Sequence, residues 1–146
     1  MNDLETKLPT HLIGKRCSNF RLLEGGTLIL YLEGVGPIEE TIAKDRLWLN
    51  CAWRLRSGGQ IVIGSLDQPE SILRELNNRL VSRILTDAVI DRTTKDPCLF
   101  FSDALTIDGF CYFTEDELWE YRGADGLRLG IGAKLVPFER HEAADS

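Results

Sequence analysis

The sequence predicts an α+β domain: a mostly antiparallel hairpin sheet of six to nine strands with one main helix at about 69–82. Three observations carry that expectation. Short apolar segments alternate with glycine-bearing turns along most of the chain, the pattern of successive hairpins. Only 69–82 spaces its apolar residues at the helical period. Finally, the hairpin pattern Trp53-Arg-Leu-Arg-Ser-Gly-Gly-Gln-Ile-Val-Ile-Gly64 returns 66 positions later as Trp119-Glu-Tyr-Arg-Gly-Ala-Asp-Gly-Leu-Arg-Leu-Gly130. Leu12-Ile-Gly-Lys-Arg16 has a partial echo in Leu80-Val-Ser-Arg83, 68 positions on. The near-constant offset reads as an internal duplication of two units, 10–66 and 78–132, within a single domain spanning 1–146.

In chain order, 1–8 reads as a mobile terminus. Cys17–Leu23 and Thr27–Glu33 flank Gly25-Gly26, a pair that supplies the positive φ of a tight hairpin. Leu28–Leu32 is apolar on both faces, as in a strand covered from two sides. Ile38–Asp45 is a charged connection. Arg46–Arg56 alternates as one strand, with Leu47, Leu49, Cys51, Trp53 and Leu55 inward and Trp48, Arg54 and Arg56 outward. Ser57-Gly58-Gly59 turns it into Gln60–Gly64.

Asp67 stands as a helix cap, with Pro69 and Glu70 suited to the first turn. Ile72, Leu73, Leu76 and Leu80 form the buried stripe. Ile84–Asp91, Cys98–Phe101 and Leu105–Phe113 follow as strands, the last interrupted at Asp108-Gly109 by a bulge or a turn. The tail from 139 to 146 is polar and reads as frayed. One helix cannot cover a large two-sided sheet. The sheet therefore folds over itself as a sandwich or half-barrel, or a second copy covers it as a homodimer.

Charge is unevenly placed. Residues 1–66 carry eight Lys/Arg against seven Asp/Glu, and 67–146 carry nine against sixteen. A net charge of −6 disfavours nucleic acid and acidic membrane surfaces and permits a basic protein partner. No apolar run approaches the ~20 residues of a membrane helix. The polar, acid-bearing start gives no signal or transit pattern, so a cytoplasmic location is expected. Cys17, Cys51, Cys98 and Cys111 have no metal-ligand spacing and read as reduced thiols.

Chemistry is thinly marked. His11 and His141 sit near the ends, far in sequence from any nucleophile. Gly130-Ile-Gly-Ala-Lys134 lacks the spacing of a phosphate loop and suits close strand packing instead. No catalytic residue, cofactor or metal site is expected. The remaining candidates are surface groups: Asp103, Asp108, Glu115, Asp116, Glu117, Glu120 and Asp125 as an acidic partner-binding face, with Trp48 as its apolar anchor. The alternative is a small-molecule pocket or enzyme inside a half-barrel, using Tyr31, Arg54, Arg56 and Arg122.

The run Leu47–Gly64 ahead of a helix, with the Leu-Ile-Gly-Lys-Arg opening, resembles uncharacterised small bacterial domains encoded beside polymorphic toxins. Several of these are thought to be immunity proteins. The resemblance spans roughly 10–132 and implies a non-enzymatic inhibitor of a toxin, whose basic substrate-binding surface an acidic face would cover.

Overall fold

The computed structural model describes residues 8–34, 45–111, 118–131 and 137–141. They form eleven strands, one α-helix and a short 3₁₀ turn, Thr10–Leu12. The strands are β1 (Arg16–Leu22), β2 (Leu28–Glu33), β3 (Asp45–Leu49), β4 (Ala52–Ser57), β5 (Gln60–Gly64), β6 (Leu85–Ile90), β7 (Pro97–Phe101), β8 (Leu105–Phe110), β9 (Trp119–Arg122), β10 (Leu127–Ile131) and β11 (Pro137–His141). The helix α1, Pro69–Arg79, separates β5 from β6. Two antiparallel sheets result, ordered β1-β2-β3-β9-β10-β11 and β5-β4-β8-β7-β6. Their inner residues meet in one apolar cluster. Leu28, Leu30, Leu47 and Trp119 come from the first sheet, Trp53, Leu55, Leu99 and Ile107 from the second, and Ile72, Leu76 and Leu80 from α1 and its C-cap. Each sheet is thus the other's cover.

The predicted alternation across 46–56 is right in phase, but the segment is two strands and not one. β3 lies in the first sheet and β4 in the second, with the crossover at Asn50 and Cys51. Trp53 is accordingly 2% exposed in the core, and Trp48 stands half-buried on the outer face. Asp108-Gly109 is neither bulge nor turn, since Asp108 faces Arg54 and Gly109 faces Trp53 in an unbroken ladder. Glycine is needed there because a Cβ would come within 2.9 Å of the Pro97 ring and 3.1 Å of the Cys51 sulfur. Asp67 does not cap α1. The cap position is Gln68, and the Asp67 carboxylate accepts the Gly64 N–H at 2.7 Å. The helix ends three residues earlier than predicted because Ser82, at φ 80°, turns its N–H onto the Cys17 carbonyl at 2.7 Å. The supposed frayed tail begins as an edge strand, with β11 pairing along β10 from Pro137 to His141.

The two halves run through matching positions with the sheets exchanged. β1-β2-β3 is a meander in the first sheet and β4-β5 a hairpin in the second. β6-β7-β8 is a meander in the second and β9-β10 a hairpin in the first. Bulges fall at Cys17/Asn19 and at Leu85/Asp87. After each, a side-chain oxygen accepts the next backbone N–H: the Asn19 amide from Phe20 and the Asp87 carboxylate from Ala88, both at 2.8 Å. The Trp53 indole donates to the Gly26 carbonyl, in the first turn of its half, at 2.8 Å. Trp119 donates to the Lys95 carbonyl, in the first turn of the other half, at 2.9 Å.

Candidate functional site

Side chains alternate across a strand, so the registers define what each outer face carries. On the six-stranded sheet, Tyr31 pairs with Arg46, Arg46 with Arg122, Arg122 with Arg128 and Arg128 with Arg140. One row across β3, β9, β10 and β11 is therefore four arginines. The adjacent row reads Arg21, Ile29, Trp48, Glu120, Gly130 and Phe138. Ile29 is fully buried yet stands apart from the core cluster, in keeping with its place on this outer side.

Glu120 anchors the face. It is 3% exposed, accepts Arg122 Nε at 2.7 Å, and is gripped by Arg128 through Nε and, at 2.8 Å, through Nη2. Burial opposes its charge, but Arg128 and Arg122 hold its pKa below the ordinary glutamate value. Arg122 in turn lies over the Trp48 ring, 4.2 Å from the centroid, and Arg140 lies over Phe138 at 4.6 Å. Trp48, Glu120 and Arg122 line a cleft of about 240 Å³ with Leu23, Thr27, Asn50 and Trp119. The Trp48 indole nitrogen is buried and finds no acceptor among the described residues.

The corresponding place on the five-stranded sheet is chemically different. Asp108 accepts Arg54 Nε at 3.0 Å and Arg56 at 2.6 and 3.0 Å. The Cys98 thiol donates to the same carboxylate at 3.3 Å. Burial again opposes the Asp108 charge, and Arg56 and Arg54 outweigh it, lowering the pKa. A cleft of about 270 Å³ opens beside it, lined by Arg54, Asp91, Asp96, Cys98, Asp108 and Phe110 among others. Arg54 and Arg122, paired in the half-barrel alternative, thus line clefts on different sheets. Both clefts face outward.

The predicted acidic face does not assemble from the residues described. Glu120 and Asp108 lie on the outer sides of different sheets, each spent on two arginines. Asp103 is exposed in the β7–β8 turn and pairs with Arg83 at 2.7 Å. Asp125 is exposed in the β9–β10 turn, where its carboxylate accepts the Leu127 N–H at 3.0 Å. Glu115, Asp116 and Glu117 lie outside the described residues. Trp48 keeps its place as an outward aromatic, set between Ile29 and Glu120 with the Arg122 guanidinium over its ring.

Sequence reasoning also missed a buried polar cluster between the first turn and β9. Asp45, 4% exposed, accepts the Tyr121 hydroxyl at 2.9 Å and the Ala124 N–H at 3.0 Å, and pairs with Lys15. His11 Nε2 lies 3.1 Å from the Tyr121 oxygen and 3.5 Å from Asp45. Burial opposes the Asp45 charge, yet Lys15, Ala124 and Tyr121 hold its pKa below the usual aspartate value. Burial and the Asp45 charge push the Tyr121 hydroxyl upward. This arrangement ties the N-terminal turn to the sheet and leaves Tyr121 a donor. Cys51 and Cys111, distant in sequence, meet where the chain leaves β3 and β8. The Cys111 thiol donates to the Lys95 carbonyl at 3.5 Å, and the neighbouring Cys51 thiol and burial raise its pKa.

No family model, curated protein or solved structure matches the chain. Among the described residues no helix is long and apolar enough to cross a membrane, and no group of His, Cys, Asp or Glu is placed to hold a metal ion.

Proposed function

We propose that this chain is a non-enzymatic, cytoplasmic protein-binding module that engages its partner through the outer face of the six-stranded sheet, centred on Trp48. The observation that carries the reading is the Arg122 guanidinium stacked on Trp48 above the buried Glu120, inside a cross-strand row of arginines. Trp, Tyr and Arg are the residues most enriched among binding hot spots, and a rigid aromatic beside a partly desolvated arginine loses little entropy when a partner docks. Among the described residues, Cys17, Cys98 and Tyr121 are held in their protonated forms, which favours a binding role. Cys17 and Cys98 are pushed up to about 12 and about 11 by burial, and the Tyr121 hydroxyl donates to a buried carboxylate. The resemblance to immunity domains gives the concrete form, an inhibitor of a toxin.

The test is co-expression with the product of an adjacent gene, followed by capture on the parent chain and on Trp48→Ala. The parent should retain that product and Trp48→Ala should lose most of it while keeping the parent's circular dichroism. Retention by a folded Trp48→Ala at the parent's level places docking elsewhere.

We also propose that the two halves descend from one duplicated unit, supported by the matched bulges, indole bonds and sheet exchange. Related chains should align with both halves at this same offset. A set of relatives in which the second half follows another strand order would remove the idea.

A further inference from the structure

Resting on that reading of the face, we infer that the docked element is an uncharged peptide segment. One leucine-sized apolar side chain seats in the Trp48 cleft, and a main-chain carbonyl beside it accepts the Trp48 indole N–H. In the free chain that indole nitrogen is buried and has no acceptor among the described residues. Trp53 and Trp119, by contrast, each give their N–H to a carbonyl, that of Gly26 at 2.8 Å and that of Lys95 at 2.9 Å. Buried polar groups are paired in the great majority of cases, and an unpaired one destabilises the chain that carries it. Here the orphan donor belongs to the aromatic wall of a cleft, on the face assigned to a partner. A carbonyl from that partner completes it.

The cleft itself selects the rest of the occupant. At about 240 Å³ it is smaller than the roughly 300–1,000 Å³ of sites that enclose a drug-sized molecule, so it suits one side chain and its peptide group. Leu23, Trp48 and Trp119 give it apolar lining. Its polar lining is already engaged: the Thr27 hydroxyl donates to the Asn50 side-chain oxygen at 2.6 Å, and Glu120 accepts Arg122 at 2.7 Å. Because the two charged lining residues pair with each other, a charged occupant would lose its water without gaining an unspent counter-charge. Entry needs one movement. The Arg122 guanidinium lies over the Trp48 ring, 4.2 Å from its centroid, on a side chain that is 29% exposed. This long, partly solvated side chain slides aside on the ring as the carbonyl comes in.

The experiment titrates the full chain, isotope-labelled at its three tryptophan indoles, with N-acetyl-L-leucine methylamide and follows the indole N–H resonances. N-methylacetamide, which has the carbonyl without the side chain, and acetate are the comparison probes. The Trp48 resonance, identified by its absence in Trp48→Phe, should move downfield and saturate, while those of Trp53 and Trp119 stay in place. The leucine probe should bind at least about fivefold tighter than either comparison probe and change less than about twofold between roughly 50 and 200 mM salt. Trp48→Phe keeps a ring and removes the donor. It should bind the leucine probe about fivefold more weakly, the worth of one neutral hydrogen bond, and keep the parent's urea midpoint because no internal bond is lost. A static Trp48 resonance, equal or tighter binding of a comparison probe, or a Trp48→Phe midpoint lowered as far as that of Trp53→Phe each overturns the proposal. If an adjacent-gene product is lost by Trp48→Ala yet held by Trp48→Phe at the parent's level, the face stands and the carbonyl contact falls. If the leucine probe binds as expected and Trp48→Ala still holds that product, the cleft stands and the partner's use of this face falls.

Discussion

Gly130→Ala tests the second Trp hairpin where the structure is tightest. A Cβ on Gly130 would intrude on the Trp119 carbonyl oxygen and lie 2.8 Å from Glu120 Cα and 3.0 Å from the Trp119 carbonyl carbon. All three are backbone atoms of a strand paired on both sides, so no rotamer change can relieve the clash. β9 and β10 must separate locally by several tenths of an ångström. That strains the ladder from Arg128↔Arg122 to Ile131↔Trp119 and disturbs the carboxylate of Glu120 beneath Arg122 and Arg128. Overpacking of this kind costs about 1–3 kcal/mol, and loss of ladder hydrogen bonds brings the expectation to about 3 kcal/mol. In a chain of this size that is a Tm drop of very roughly 6–12 °C. Gly64→Ala is the internal comparison: its Cβ would meet the Trp53 carbonyl oxygen at 3.3 Å, tight but relieved by a small shift, for under ~1 kcal/mol. Urea unfolding followed by fluorescence measures both. A Gly130→Ala midpoint within error of the parent, or a Gly64→Ala cost as large, would refute the packing argument.

Asp45→Asn should lower stability by about 1–3 kcal/mol and Tyr121→Phe by about 1 kcal/mol in the same urea assay, because each leaves a buried partner unsatisfied. Asp45, Asp108 and Glu120 all have folded pKa values below their ordinary ones, so their contribution is fully present above the unfolded carboxylate range and is lost as pH falls through the folded values. The urea midpoint should therefore be flat from about pH 7 to 5 and fall below about pH 4, less steeply in Asp45→Asn; a fall centred near pH 6 would contradict this. Ala52 faces Phe110, which makes Cys51 and Cys111 the next facing positions, so the mild two-electron oxidant diamide should join them with a loss of about 2 Da. A disulfide mapped to Cys17 or Cys98 would count against that register. Trp53→Phe and Trp119→Phe each remove an indole bond to the first turn of their half and should cost about the same, 1–2 kcal/mol; a several-fold difference would show that the two tryptophans bear unequal structural loads.

Local chemistry made much of the fold legible. Gly25-Gly26 and Gly58-Gly59 have the positive φ their turns demand, and the alternation from Leu47 to Leu55 correctly divides inward from outward residues. Pro69 and Glu70 mark the helix start within a residue. What failed was continuity. A strand that changes sheet at Asn50 and Cys51 keeps its side-chain alternation, so no local pattern reports the crossover. Likewise a polar edge strand such as β11, half exposed and charged, has the composition of a tail.

The site was hidden for a different reason. The acids form a regional excess in 67–146, but an ion pair is a relation between strands that sequence proximity does not report. Arg46 comes from the first half and Arg122, Arg128 and Arg140 from the second; β3 pairing with β9 sets them side by side. The same pairing puts Trp48 against Glu120, turning a residue counted as surface acid into the buried anchor of an arginine pair. Asp108 undergoes the same conversion on the other sheet, where β4 brings Arg54 and Arg56 to β8. In both places strand pairing consumes a carboxylate internally, Glu120 on one sheet and Asp108 on the other. Net charge therefore predicts the sign of the long-range field, and strand register decides the sign of the face a partner meets.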